Sequence, residues 1–205
     1  MTKHRPFHTL ILLFLVAVQS TWAGGDAANG KQKVESCNAC HGADGNSLIP
    51  SNPKLAGQGE RYLFKQLKNV QTGEREIAVM VGLLDNYNDQ DLADIAAYYA
   101  SQKQTLSFVE EKWVNLGREI YRNGNLDRGI PSCTGCHGPS GTGNAPAGFP
   151  MLAGQHAEYL AMQLKNFSIG KRHNDGEGKV MRDIAERMNE NEIQAVASYI
   201  AGLRP

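Results

Sequence analysis

Two short runs carry residue types whose order and spacing could do chemistry: Cys37-Asn38-Ala39-Cys40-His41 and Cys133-Thr134-Gly135-Cys136-His137. Both read C-x-x-C-H. Two thiols three positions apart on one helical turn can form thioethers to the two vinyl groups of a haem, and the next side chain then lies under the iron with an imidazole to offer. Other uses of paired cysteines fit less well. Disulfides are the default in an oxidising compartment, but a bridge across two intervening residues is strained. A thioredoxin-like pair wants a strand-to-helix setting, and no period-2 strand pattern is found. A tetrahedral zinc site needs four ligands drawn together, whereas each run supplies three and the runs lie 96 residues apart. The expectation is two covalently bound haem c groups, one on Cys37 and Cys40, the other on Cys133 and Cys136, with His41 and His137 as iron ligands.

The sixth iron position decides between electron carriage and open-site chemistry. The chain sorts its own candidates, because it repeats. Pro53-Lys54-Leu55-Ala56-Gly57-Gln58 recurs as Pro150-Met151-Leu152-Ala153-Gly154-Gln155, and Tyr62 and Gln66-Leu67-Lys68-Asn69 recur as Tyr159 and Gln163-Leu164-Lys165-Asn166, both 97 residues on. Near the end of each unit the offset is 101. Met151 then matches Lys54, Met162 matches Lys65 and Met188 matches Tyr87. Met80 and Met181 match each other, so they are the candidate sixth ligands, each expected in a loop before the last helix of its unit. Met162 and Met188 are expected to fill core. A thioether favours the reduced state and raises the potential, and an iron with both axial positions filled passes electrons while binding substrate poorly. That argues for an electron-transfer protein rather than an enzyme.

A ligating imidazole normally donates its other N–H to a fixed acceptor. Pro53 and Pro150, following His41 and His137 by 12 and 13 residues, are candidate acceptors through their carbonyls; simple turn prolines are the other reading. Arg75 and Arg172 also correspond between units. They could pair with haem propionates, but solvated surface positions are the ordinary expectation for arginine. His156 and His173 have no counterpart histidine and are expected at the surface.

The elements that must hold these groups are helical. Leu63, Leu67 and Val70 form an apolar face at i, i+4 and i+7, repeated by Leu160, Leu164 and Phe167. Leu92, Ile95, Ala96 and Tyr99 form a second stripe, matched by Ile193, Val196, Ala197 and Ile200. Asn88 and Asn189 read as N-caps, with Asp91 and Glu192 three residues on. Gly, Pro and Asn crowd residues 42–53 and 138–150, which read as loops. The fold is expected to be all-α, in two similar domains spanning 24–105 and 106–205, each small enough that a large apolar cofactor helps complete its core.

Residues 1–23 have the form of a cleaved secretory signal peptide: basic Lys3 and Arg5, an apolar run from Leu10 to Val18, and a small residue at Ala23. Nine apolar residues are far short of the roughly 20 that span a membrane. Without that segment the chain has 19 basic and 21 acidic residues, and the absence of a basic excess argues against nucleic acid as a partner.

With these residues placed, the chain resembles the dihaem cytochrome c4 family over nearly all of residues 24–205. The resemblance is carried by Cys37-x-x-Cys40-His41-Gly42, by Pro53-Lys-Leu-Ala-Gly-Gln-Gly-Glu-Arg-Tyr62, by Leu84-Asp85 and Asp89-Gln-Asp-Leu-Ala-Asp-Ile-Ala-Ala-Tyr-Tyr99, and by Pro131-Ser-Cys-Thr-Gly-Cys-His-Gly138, Gly148-Phe-Pro150, Ala153-Gly-Gln-His156 and Asn174-Asp-Gly176. It implies two tandem class I cytochrome c domains related by pseudo-twofold symmetry, their haems near the interface. It implies His41 with Met80 and His137 with Met181 as axial pairs. Family members often carry a second Met just after the first-unit ligand; here that position is Leu83. The resemblance also implies a periplasmic carrier, often loosely associated with the membrane. Its donor would be a quinol-oxidising complex and its acceptor a haem-copper terminal oxidase such as the cbb3 type. The alternative is a haem-bearing electron-transfer subunit docked to a dehydrogenase.

Thioether attachment has a direct check. Both haems should stay with the polypeptide through acid-organic extraction of denatured protein; free haem in the organic phase would overturn attachment at Cys37, Cys40, Cys133 and Cys136.

Overall fold

The computed structural model describes residues 24–205; the expected signal peptide, residues 1–23, lies outside the described residues. These residues form helices and turns, with two isolated antiparallel bridges, Asn125 to Ile130 and Asn144 to Phe149. The first unit contains α1 (Ala27–Lys31), α2 (Asn38–His41), α3 (Glu60–Gln71) and α4 (Asp89–Ala100). The second contains α5 (Val114–Asn123), α6 (Thr134–His137), α7 (Ala157–Ser168), α8 (Val180–Glu186) and α9 (Glu190–Ala201). No helix among the described residues is long and apolar enough to cross a membrane.

The last helix of each unit begins where its asparagine stands. The Asn88 side chain accepts from the Asp91 N–H, and the Asp91 carboxylate accepts from the Asn88 N–H. Asn189 and Glu192 do the same at α9. Such caps satisfy donors that the first helical turn cannot, and each contributes about 1 kcal/mol. The apolar stripes of α4 and α9 are buried throughout. α4 packs on α1 and α3, and α9 packs on α5 and α7.

The two helix crossings are close enough to dictate residue type. A Cβ at Gly30 would lie 2.0 Å from the Asp94 carbonyl oxygen, and one at Gly117 would lie 2.2 Å from that of Ala195. Only glycine permits that approach. Asp94 also ties α1 to α4 in the first unit. Its carboxylate accepts from the Asp26 N–H at 2.9 Å, from Lys33 Nζ at 2.6 Å and from Gln90 Nε2 at 2.9 Å. Burial opposes the charge, but these donors outweigh it and hold the carboxyl at about 2.

Residues 102–110 form no regular element and run along both units. The Thr105 N–H donates to Asn46 Oδ1 at 2.7 Å. Lys54 Nζ donates to the Thr105 carbonyl (2.7 Å), to Ser107 Oγ (2.9 Å) and to the Gly154 carbonyl (3.0 Å).

Two expectations need correction. Met80 lies in the connection between α3 and α4, where it closes a 3₁₀ turn, Ala78–Met80, but Met181 sits in the first turn of α8 and not in a loop. Met162 is 38% exposed, because α7 turns it away from the face formed by Leu160, Leu164 and Phe167. Met188 is in the core of the second unit, as expected.

Gly117→Ala should destabilise the second unit by about 1–3 kcal/mol or more, the range for forcing a methyl into a packed contact, read from a denaturant titration. For Asp94, a carboxyl whose folded pKa is depressed stabilises fully above its unfolded value near 4 and loses that contribution as pH falls through about 2. Asp94→Asn should therefore be less stable than the parent at pH 6, and the gap should shrink steadily as pH falls from about 4 through about 2; a gap independent of pH would contradict this role.

Candidate functional site

Each C-x-x-C-H run folds into the same short turn. Cys37 is the N-cap of α2 and Cys133 the N-cap of α6, so the second cysteine and the histidine follow on a single helical turn. The turn ends at Gly42 and Gly138, with φ of 79° and 78°, a left-handed region open to glycine and strained for other residues. A tyrosine from a different helix pins the chain beyond each histidine: Tyr98 Oη donates to the Ala43 carbonyl at 2.8 Å, and Tyr121 Oη to the Gly138 carbonyl at 2.6 Å. None of the four cysteines is in a disulfide. Burial raises the Cys37 thiol pKa and pushes that of Cys133 up to about 11. An attacking cysteine of the thioredoxin kind needs a depressed pKa, so a dithiol redox site does not fit.

The two histidines are held alike. His41 Nδ1–H donates to the Pro53 carbonyl at 3.0 Å, and His137 Nδ1–H donates to the Pro150 carbonyl at 3.1 Å. The prolines thus serve as acceptors and not only as turn residues. Fixing Nδ1 sets the tautomer and leaves Nε2 free to ligate a metal. Burial holds both rings below the usual imidazole pKa, with the carbonyl bonds working in the other direction; the neutral ring is the ligating form. His137 and Met181 line one cavity, which runs past Leu164 and Ile200 to Arg75 and Arg172 between the units.

Those arginines are the clearest departure from the sequence reading. Each is 9% exposed, not solvated, and each reaches into the other unit. Arg75 donates to Gln66 Oε1 (2.8 Å) and across to Tyr159 Oη (2.9 Å). Arg172 donates to Gln163 Oε1 (2.9 Å) and across to Tyr62 Oη (3.0 Å). These pairs exchange under the repeat, which is what pseudo-twofold symmetry requires. Neither guanidinium bonds to a carboxylate among the described residues. His156 is half-buried, with Nε2 at 2.8 Å from the Ser47 carbonyl, whereas His173 is exposed as expected. Sequence reasoning passed over Gln58 and Gln155, which lie between the units, although the repeated Ala-Gly-Gln was a signal for them.

Fold and donor set together define a two-domain c-type cytochrome. The Cytochrome c family model matches residues 27–103 and again 114–204. Cytochrome c4 of Pseudomonas aeruginosa is 52% identical over 94% of this chain and 96% of its own. The crystal structure of reduced recombinant cytochrome c4 from Pseudomonas stutzeri superposes with a TM-score of 0.87 at 49% identity, covering 88% of this chain and 100% of that one. A thiosulfate dehydrogenase electron acceptor of Stutzerimonas stutzeri is 36% identical over 82% of this chain and 78% of its own. The chain belongs to the cytochrome c4 family. It is an electron-transfer c-type cytochrome with two covalently bound haem c groups, one for each C-x-x-C-H run.

Proposed function

We propose that this chain is a periplasmic electron carrier, not an enzyme, in which Cys37 and Cys40 tether one haem and Cys133 and Cys136 the other, with His41 and Met80 on the first iron and His137 and Met181 on the second. Residues 1–23 are its export signal, and 24–105 and 106–205 its two domains. The observation that carries the reading is the duplicated histidine geometry, Nδ1 bound to a proline carbonyl in both units, together with His137 and Met181 on the walls of one cavity. Arg75 and Arg172 fit the cofactor as well: two buried cations without protein carboxylates suit the anionic propionates of a haem.

When bound, each haem supplies one ferrous–ferric electron. The chain does the rest. The imidazole is presented neutral and in one orientation, so little reorganises when the charge changes. The thioether of methionine favours the reduced state, which suits a carrier placed late in a respiratory chain. Its donor would be a quinol-oxidising complex and its acceptor a haem-copper terminal oxidase such as the cbb3 type, with peripheral association to the membrane. A second reading, a subunit docked to a dehydrogenase, is favoured by the similarity to a protein named as a thiosulfate dehydrogenase electron acceptor. Size-exclusion of the native protein separates the two, since a dedicated subunit co-elutes with its enzyme.

The axial assignment is tested by a pair of variants. Met181→Ala should open one iron, remove about half of the thioether-to-ferric absorbance and lower one potential. Met188→Ala, in the buried core, should leave both irons low-spin and cost stability on the order of 2–5 kcal/mol. Reversed behaviour would show Met188 to be the ligand.

A further inference from the structure

The peptide group that receives each histidine does not end there. The unit joining Pro53 and Lys54 accepts from His41 through its carbonyl at 3.0 Å, and its N–H donates to Gln155 Oε1 in the other domain at 2.9 Å. The unit joining Pro150 and Met151 accepts from His137 at 3.1 Å, and its N–H donates to Gln58 Oε1 in the first domain at 2.8 Å. Each glutamine closes the contact with its own NH₂. Gln155 Nε2 donates to the Lys54 carbonyl and Gln58 Nε2 to the Met151 carbonyl, both at 2.8 Å. Each Oε1 also accepts the next backbone N–H of its own chain, His156 at 3.0 Å and Gly59 at 2.9 Å. With backbone donors aimed at Oε1, the two amide orientations are not interchangeable. Gln58 is 7% and Gln155 4% exposed, so water screens these bonds little.

A hydrogen-bonded chain thus runs from each histidine, through one peptide, to a side-chain amide of the opposite domain. Linked hydrogen bonds polarise one another in a low-dielectric interior. A peptide whose N–H is engaged has a more negative carbonyl oxygen, and a stronger acceptor at Nδ1–H makes the imidazole a more basic ligand. A more basic ligand stabilises the ferric state. We infer that Gln155 and Gln58 are crossed positioning residues: Gln155 lowers the potential of the iron held by His41, and Gln58 lowers that of the iron held by His137. The docking of the domains would then tune both irons through bonds rather than through net charge, since neither glutamine carries one. The inference rests on the assignment of His41 and His137 as axial ligands.

The test uses the full-length holoprotein. In the ferric wild type, the ring-proton NMR signals of His41 and His137 should be displaced by contact with iron; undisplaced signals would overturn the axial assignment itself. Gln155→Leu, and Gln155→Met as a flexible side chain of similar length in case leucine disturbs packing, are then compared in redox titrations followed by NMR signals assigned to each haem. The ferric–ferrous equilibrium at the His41 iron should shift toward ferrous by roughly three- to tenfold, tenfold being about 59 mV for one electron. The His41 Nδ1–H resonance of the reduced protein should move upfield, and the His137 iron should move much less. Gln58→Leu and Gln58→Met should give the mirror image. With iron contact established in the wild type, a shift confined to the variant's own domain, an equal shift at both irons, or none at either would overturn the crossed coupling.

Discussion

A histidine that serves a metal through one ring nitrogen must have its other nitrogen occupied, or both ring orientation and tautomer are free. In this chain that requirement is met twice, by the carbonyls of Pro53 and Pro150, and much of the remaining architecture serves it. The glycine after each histidine turns the chain away at once. The loop that follows returns to place a proline beside the ring. The peptide that carries each proline carbonyl also supplies, through the N–H of Lys54 or Met151, the donor directed at the other domain. The last helix of each unit closes over the assembly, fixed at its start by a capping box and at its middle by a glycine contact.

Much of this was legible before any coordinates. The C-x-x-C-H runs announce themselves because haem attachment demands thiols and imidazole at a fixed spacing. The long helices were legible because amphipathic stripes and asparagine caps are local signals, and α4 and α9 begin at the predicted residues. The repeat marked Met80 and Met181 as a pair by their shared offset, although one stands in a 3₁₀ turn and the other in α8. What was not legible was the contact between the units. Arg75 and Arg172 look like surface residues in any single repeat, because the groups that receive them, Tyr159 and Tyr62, come from the other copy. His156 was misplaced for the same reason, its acceptor being the Ser47 carbonyl. Periodicity reports what an element buries within its own unit; it carries no information about a surface covered by a second unit.

The secondary structure around the methionines shows a different limit. Glycine and charged residues crowd the approach to Met181, and that composition reads as loop. Yet Lys179, at φ 47°, ends the turn, and a seven-residue helix starts at Val180. The Arg182 guanidinium holds Asp175 at 2.7 Å and so closes the loop onto that helix. A short helix stabilised by one ion pair with its preceding loop has no long periodic pattern to detect.

One position where the symmetry fails shows what a tandem chain can do that a dimer cannot. Lys54 lies against Gly154, with its ammonium on three neutral oxygens, two of them from the segment joining the domains. Its counterpart, Met151, lies against Gly57, the equivalent glycine. Two identical subunits facing each other across a true twofold axis must present the same residue on both sides. A lysine chosen for one side would be imposed on the other, and a second buried cation would need its own set of acceptors. Fusing the copies into one polypeptide lifts that restriction. Each half of the contact can then be selected separately, and the joining segment offers its oxygens to a lysine on one side while it passes a methionine on the other.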